Sequence, residues 1–342
     1  MLILRSVQLN DLKSLYDLSN IMTFINLPPD EELILSKIES SIKSFKTPSK
    51  KLADNYYIFV LENLANNSIL GVSMIHGQHG TEEEPHFYLT VGHEKKFSHT
   101  INTGFIHGTL KLGLETNGYS EIGGLILHPD HRKGTQKLGK QLSFVRFLYM
   151  SMYPERFKAI IHSELMPPLD KHGNSPLWEA IGRRFLNMNY TEADILSRSN
   201  KEFILSLFPS ENIYQTLLPM EARESIGKVG KETEPVKKML ESIGFQYTFE
   251  VDPFDGGPHY RCPLEKIKPI REKISGNLCT KKNDPHLNEL DALVNLHHPD
   301  YDFFAIKTKI YIYPNGDFGI DETVLKSLPI SLPQTTTAIP FH

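Results

Sequence analysis

Apolar residues along this chain follow two periods, and the switches between them mark out the elements. Met1 to Val7 alternates loosely and is rich in β-formers, which predicts a first strand. Leu12, Leu15 and Leu18 share one helical face, behind a cap at Asn10 or Asp11, and that helix should run to about Ser19. Leu27-Pro28-Pro29-Asp30 breaks the chain and caps a second helix, Glu31 to Phe45. Tyr56 to Glu62 and Ile69 to His76 read as two strands joined at Asn66-Asn67. Ala159 to Leu165 is another apolar run. Helices are expected over 176–184, from Thr191 to about Arg198, over 201–208 and over 234–243, the last closed by Gly244 and followed by a strand to Val251. Beyond Pro258 helical patterning thins, and 305–313, 316–320 and the residues from Val324 onward read as short β segments, with a frayed tail over 333–342.

One stretch, Ser120 to Tyr153, combines both periods. Ile122 to Leu127 is a short apolar run fit for a buried strand, and Pro129, which has no amide to donate, ends it. A basic, glycine-punctuated loop follows. Leu138, Leu142, Val145, Leu148 and Met152 then recur at three and four residues, which is helical spacing. Strand, basic loop and helix can hold a phosphate, because the first helical turn has unpaired amides and the positive end of the dipole. Gly134 and Gly139 would let backbone approach closely, with charge from Arg132, Lys133, Lys137 and Lys140. An ordinary solvated loop fits the same residues. Neither G-x-x-x-x-G-K-[ST] nor G-x-G-x-x-G is present in that setting.

Composition narrows the class. At 342 residues the chain is long enough for two domains, and its 39% hydrophobic and 23% charged content is that of a soluble globular protein. A net charge of −4 gives no case for nucleic-acid binding. No apolar run reaches a membrane span and no secretory layout opens the chain, so a cytoplasmic protein is expected. Cys262 and Cys279 lack C-x-x-C spacing. The segment from Gly77 to Gly118 is the hardest to read; short strands are expected there. Six histidines, His76, His79, His86, His93, His99 and His107, fall in or beside it without H-x-x-x-H or H-E-x-x-H spacing, so no metal is expected.

Glu121-Ile-Gly-Gly-Leu-Ile-Leu-His-Pro-Asp-His-Arg132 resembles the central motif of acyl-CoA N-acyltransferases of the GNAT superfamily. It is more closely similar to the arginine N-succinyltransferase family, whose pattern is E-L-x-x-L-F-L-x-P-x-[WF]-R. Further motifs occur in the same order: Leu27-Pro28 with Ile38-Glu39, His172-Gly173-x-Ser175-Pro176-x-Trp178, Gly182-x-Arg184-Phe185-x-x-Met188, Ile226-Gly227-x-Val229, Gly244-Phe245 and Phe254-Asp255-Gly256-Gly257-Pro258.

The resemblance implies an α/β (α+β) fold, a GNAT-like mixed sheet flanked by helices over residues 1–257, with a small β-rich appendage over 258–342. It implies succinyl transfer from succinyl-CoA to the α-amine of L-arginine, a step toward glutamate through succinylated intermediates. Another acyl-CoA or amine, such as ornithine, and a catalytically silent binding homologue stay open. Succinyl-CoA would be a co-substrate, with no permanently bound cofactor, and self-association or a related sister subunit is expected. Leu125, Ile126 and Leu127 would line the acyl-CoA, and the loop with Arg132, Lys133, Gly134 and Gly139 its pyrophosphate. That loop is about two residues longer than the family's R-x-x-G-x-G. Glu121 matches a family glutamate able to hold the amine or accept a proton, Glu164 matches another, and His172 is the better-placed histidine for proton transfer. Asp170 and Asp255 are candidate guanidinium partners, alongside Asp194 and Asp252. The family histidine assigned as proton donor after Ile-Gly-x-Val is replaced here by Gly230.

Overall fold

The computed structural model describes residues 1–21, 27–132, 134–197, 200–281, 287–330, 332 and 334–341. Strand β1 (Leu2–Ser6) leads into helices α1 (Leu12–Ile21) and α2 (Glu31–Lys46), then β2 (Tyr56–Asn63) and β3 (Ser68–His79). A hairpin of β4 (His86–Ser98) and β5 (Thr103–Glu115) precedes β6 (Tyr119–Leu127), α3 (Leu138–Met152) and β7 (Ile160–Glu164). Helices α4 (Pro176–Ala180), α5 (Gly182–Leu186), α6 (Tyr190–Ser197) and α7 (Glu202–Leu207) follow. Then come β8 (Ile213–Tyr214), α8 (Met220–Ser225), α9 (Glu234–Ser242), β9 (Gln246–Val251) and β10 (Pro258–Pro263). The chain closes with α10 (Lys268–Arg271), β11 (Ile274–Thr280), β12 (Asn288–Asn295), β13 (Phe304–Ile312), β14 (Phe318–Ile320), α11 (Glu322–Lys326) and β15 (Gln334–Pro340).

Two compact units emerge, each discontinuous in sequence. The first comprises residues 1–78, 120–159 and 263–342, and the second 79–119 and 160–262. The β-rich C-terminal residues therefore pack with the N-terminal ones.

In the first unit the strands run β14-β13-β1-β2-β3-β6. Helix α2 shows how sequence places an element here. Asp30 caps it by accepting the Leu33 amide at 3.0 Å, and Glu31 and Glu32 complement the positive end of its dipole. Its inner face, Ile34, Ile38, Ser41 and Phe45, is buried with Val60, Val72 and Ile126 in the same core. β1 is anchored by charge: Arg5 donates from both terminal nitrogens to Asp11, at 2.7 and 2.8 Å, and from Nε to Glu62. At the other end β13, β12, β15, β11 and β14 form a hydrogen-bonded ring, since β12 also pairs with β13. Ring closure removes free strand edges, and Val294, Ile306, Phe318 and Ala338 fill the core beside it.

The second unit has strand order β7-β10-β9-β4-β5-β8, with a core built on Trp178, Phe254, Leu110 and Val251. Trp178 and Phe254 stack at 4.9 Å.

Four expectations change. The segment 77–118 carries not short strands but a 13-residue hairpin pair, in register from His86↔Glu115 to Ser98↔Thr103. Its outer end is solvated on both faces, which erases alternation. Residues 334–340 are not frayed, because β-branched Thr335 to Thr337 pair with β11 as a strand of the ring. The residues at Val324 are helical rather than β, following Asp321. Finally, the helix expected over 176–184 is two helices split at Ile181. A Cβ at Gly182 would lie 2.3 Å from the Trp178 ring, so the indole occupies the space that a side chain there would need. Arg198, the expected end of α6, and the tail's Pro333 and His342 lie outside the described residues.

Candidate active site

Two sets of candidate residues are described separately, one in each unit. In the first unit, β6 is not a regular strand. Gly124 has φ +54, and a Cβ there would fall 2.6 Å from Met74 Sδ, so only glycine fits this bend. The bend follows Gly123, whose carbonyl accepts from Arg146 Nη1 at 3.3 Å. Arg146 is 2% exposed and also donates to Ser143 O and Ser143 Oγ, so a buried cation is spent on backbone and hydroxyl oxygens rather than on a carboxylate. The positive φ at Gly124 bends β6 immediately before Leu125, Ile126 and Leu127. Ile126 and Leu127 are buried and Leu125 is half-buried.

Arg132 Nε donates to the Leu127 carbonyl at 3.1 Å, which ties the loop to the strand end. Gly134 has nothing within 4 Å of a Cβ, and Gly139 meets only Leu127 Cδ2 at 3.9 Å. The protein's own packing therefore does not demand glycine at either position. Lys133 lies outside the described residues. Burial lowers the Lys140 ammonium, and the like charges of Lys137 and Lys268 lower it further, which marks a positive patch at the start of α3. Glu121 is half-buried on β6.

In the second unit, His172 and Asp170 sit on the exposed turn before α4. Asp170 Oδ1 accepts the amides of His172 at 2.7 Å and Asn174 at 2.9 Å, and Gly173 takes φ +81 to close the turn. Those bonds, the Asn174 amide first, hold the Asp170 carboxyl below its usual range. Asp255 is 6% exposed, accepts the Gly257 amide at 2.7 Å, and is pushed well above the usual carboxylate range by burial and by Asp252. A carboxyl whose ionised form burial disfavours is a poor partner for a guanidinium. Gly230 donates its amide to Met166 O at 2.9 Å, and a Cβ there would meet Pro167 O at 3.1 Å.

Asp252 offers a test of this buried turn. Its side chain accepts the amides of Phe254 and Asp255, and burial raises its pKa from 3.8 to about 6. A raised folded-state pKa favours the neutral form; that contribution is complete below pH 3.8 and is lost as pH rises through 6. Asp252→Asn keeps the acceptor and removes the charge. It should raise stability above pH 6 by up to about 3 kcal/mol and flatten the profile between 4 and 6, read by urea unfolding across pH.

Sequence reasoning missed a cluster of titratable groups in this unit. His86 opens β4, His162 and Glu164 lie on β7, and His259 lies on β10. His162 Nε2, His86 Nδ1 and His259 Nε2 stand 3.3, 3.6 and 3.9 Å from Glu164 Oε1. Burial alone would raise the Glu164 carboxyl, but the His162 hydrogen bond and the neighbouring His259 and His86 hold it well below its usual range. Burial drives His86 well below the ordinary imidazole value and His162 down to about 4. The strands carrying these residues are far apart in sequence, so no spacing motif could have announced them.

Residues 2–269 match the family model described as arginine N-succinyltransferase beta subunit. An arginine N-succinyltransferase of Citrobacter koseri is 33% identical over 305 residues, covering 87% of each chain. The chain belongs to the arginine N-succinyltransferase family. Another relative with that name, from Shigella dysenteriae, is 33% identical over 275 residues, 80% of this chain and 79% of its own. The structure of arginine/ornithine succinyltransferase subunit AI from Pseudomonas aeruginosa superposes with a TM-score of 0.83 at 24% identity, covering 99% and 98% of the two chains. The fold class expected from sequence, mixed α/β with a β-rich C-terminal region, is the one found. Family membership makes the chain an acyl-CoA-dependent acyltransferase. Among the described residues no helix is long and apolar enough to cross a membrane.

Proposed function

We propose that this chain transfers the succinyl group of succinyl-CoA to the α-amine of L-arginine, releasing CoA, in the cytoplasm. The observation that carries the reading furthest is the bend at Gly124, because it immediately precedes Leu125, the residue that the resemblance matches to an acyl-CoA contact. The amides of Leu125 to Leu127 take the thioester carbonyl and pantetheine arm, and steady the oxyanion as the amine adds. The loop from Arg132 to Gly139, Lys133 included, takes the pyrophosphate, and the positive patch of Lys137, Lys140 and Lys268 supports that assignment. The amine nitrogen attacks the thioester carbon, the C–S bond breaks, and CoA leaves as the thiolate. By resemblance, Glu121 in the first unit is the candidate to hold the amine, and His172, on an exposed turn of the second unit, the candidate to accept a proton. Asp170, charged and exposed, reads the guanidinium in preference to buried Asp255.

Incubation with succinyl-CoA and L-arginine should give succinylarginine and free thiol, and slower turnover with acetyl-CoA or ornithine. No product with any pair, despite CoA binding, would overturn the enzymatic reading. His172→Ala is expected to lower kcat by about 10²–10⁴-fold with KM for succinyl-CoA unchanged; an unchanged kcat removes His172 from the role. A second reading, a catalytically silent acyl-CoA- or arginine-binding homologue, is favoured by Gly230. Gly230→His separates the two, since a large gain in rate identifies the missing imidazole as the deficit.

Self-association or a sister subunit belongs to the same reading. The hairpin of β4 and β5 exposes Phe97, Ile101, Phe105 and Ile106, each more than half accessible, which suits a protein interface. Light scattering on the purified chain should report an oligomer.

A further inference from the structure

Three buried imidazoles surrounding one partly open carboxylate raise a question of hydrogen bonding that the acyl transfer does not answer. The side chains of His86, His162 and His259 are 3%, 1% and 0% exposed, and that of Glu164 is 31% exposed. A neutral imidazole has one donor and one acceptor, and burying either without a partner costs about 1–3 kcal/mol. His162 is satisfied: Arg261 Nε donates to its Nδ1 at 3.2 Å, which puts its own proton on Nε2, facing Glu164. His259 is not. Neither of its ring nitrogens has a hydrogen-bond partner, and His86 Nε2 also lacks one. The rings of His86 and His259 lie 5.1 Å apart.

We propose that His86, His259 and Glu164 form a binding site for a divalent transition-metal ion, zinc in the first instance. The four candidate ligand atoms of the cluster all lie within 4.8 Å of one another. Metal–ligand bonds of about 2.0–2.1 Å in a tetrahedron place neighbouring ligand atoms roughly 3.3–3.4 Å apart. The 3.6 and 3.9 Å separations from Glu164 Oε1 to His86 Nδ1 and His259 Nε2 are a small contraction from that arrangement. His162 does not ligate, because its proton is committed to Glu164; it orients the carboxylate. Glu250 stands behind His259, with Oε2 3.8 Å from Nδ1, beyond hydrogen-bond reach, while it pairs with Arg261 Nη2; contraction onto a metal would have to bring the two within reach. A carboxylate behind a ligating histidine fixes its tautomer and strengthens it as a ligand. Two imidazoles and one carboxylate select a first-row transition ion over calcium or magnesium, which want oxygen. Glu164, the exposed member, leaves the fourth position to water. The site is independent of the acyl-transfer assignment.

The full chain, stripped with EDTA and without a histidine tag, is titrated with zinc chloride, and bound metal is measured after desalting. One zinc per chain is expected. Affinity should fall at least tenfold in His86→Ala and in His259→Ala, and should be unchanged in His297→Ala, an exposed histidine elsewhere. Cobalt chloride gives a second readout that needs no variant: intense visible absorption of low-coordinate cobalt is expected with wild-type protein. Weak absorption of the hexa-aquo type, zinc at background, or zinc retained by folded His86→Ala and His259→Ala would each overturn the site.

Discussion

Replacing Arg5 by alanine should remove about 3–5 kcal/mol of folding stability, because it strips the counter-charge from two buried carboxylates. Asp11 and Glu62 are 4% and 6% exposed, and Arg5 itself 3%. Burial alone would lower the Arg5 pKa; the bonds to Asp11 and Glu62 outweigh it and raise it. The guanidinium fork fills both Asp11 oxygens and reaches Glu62 with Nε, a geometry lysine cannot copy. Arg5→Lys should therefore also be destabilised, by less. Urea unfolding provides the check, with the midpoint falling and the slope unchanged. A loss below about 1 kcal/mol would place the triad among ordinary surface pairs.

Arg146→Met is expected to separate stability from function. Burial pulls the Arg146 pKa down to about 9, so the residue stays charged at neutral pH and the fold carries a penalty on the order of 5 kcal/mol. Because the folded state holds that proton less tightly, the penalty is complete below pH 9 and shrinks as pH rises beyond it. Methionine of similar length removes the buried charge and should leave stability unchanged or raise it by about 1–4 kcal/mol. It also removes the donor to Gly123 O, which ties helix α3 to the residue before the bend in β6. KM for succinyl-CoA should rise at least tenfold. A variant that is more stable and binds succinyl-CoA normally would show that the bend stands without its tether.

The sequence disclosed what local patterning dictates. Asp30 and the Ile34, Ile38, Phe45 stripe marked α2, and Leu138 to Met152 marked α3, because one face of each meets a core. Gly124 was visible as a residue but not as a bend, since nothing local distinguishes it from Gly123. The hairpin of β4 and β5 was hidden because Phe97, Phe105 and Ile106 project into solvent where alternation would place polar residues. Asp170 and Asp255 read alike as acids, yet one is exposed with its carboxyl held below the usual range, while the other is buried and pushed above it. The cluster of His86, His162, Glu164 and His259 depends on strand pairing over long separations, and pairing is what a single sequence states least directly.

The position of β1 also constrains how the protein is made. One edge of β1 pairs with β2, but the other is covered only when Leu4 meets Ala305 and Arg5 meets Phe304. A ribosome synthesises Ala305 about 300 residues after Leu4. Until then the nascent chain carries an apolar strand with one open edge. Completion of the first unit's sheet therefore waits for β13, and a chain stopped short of residue 304 exposes that edge for good.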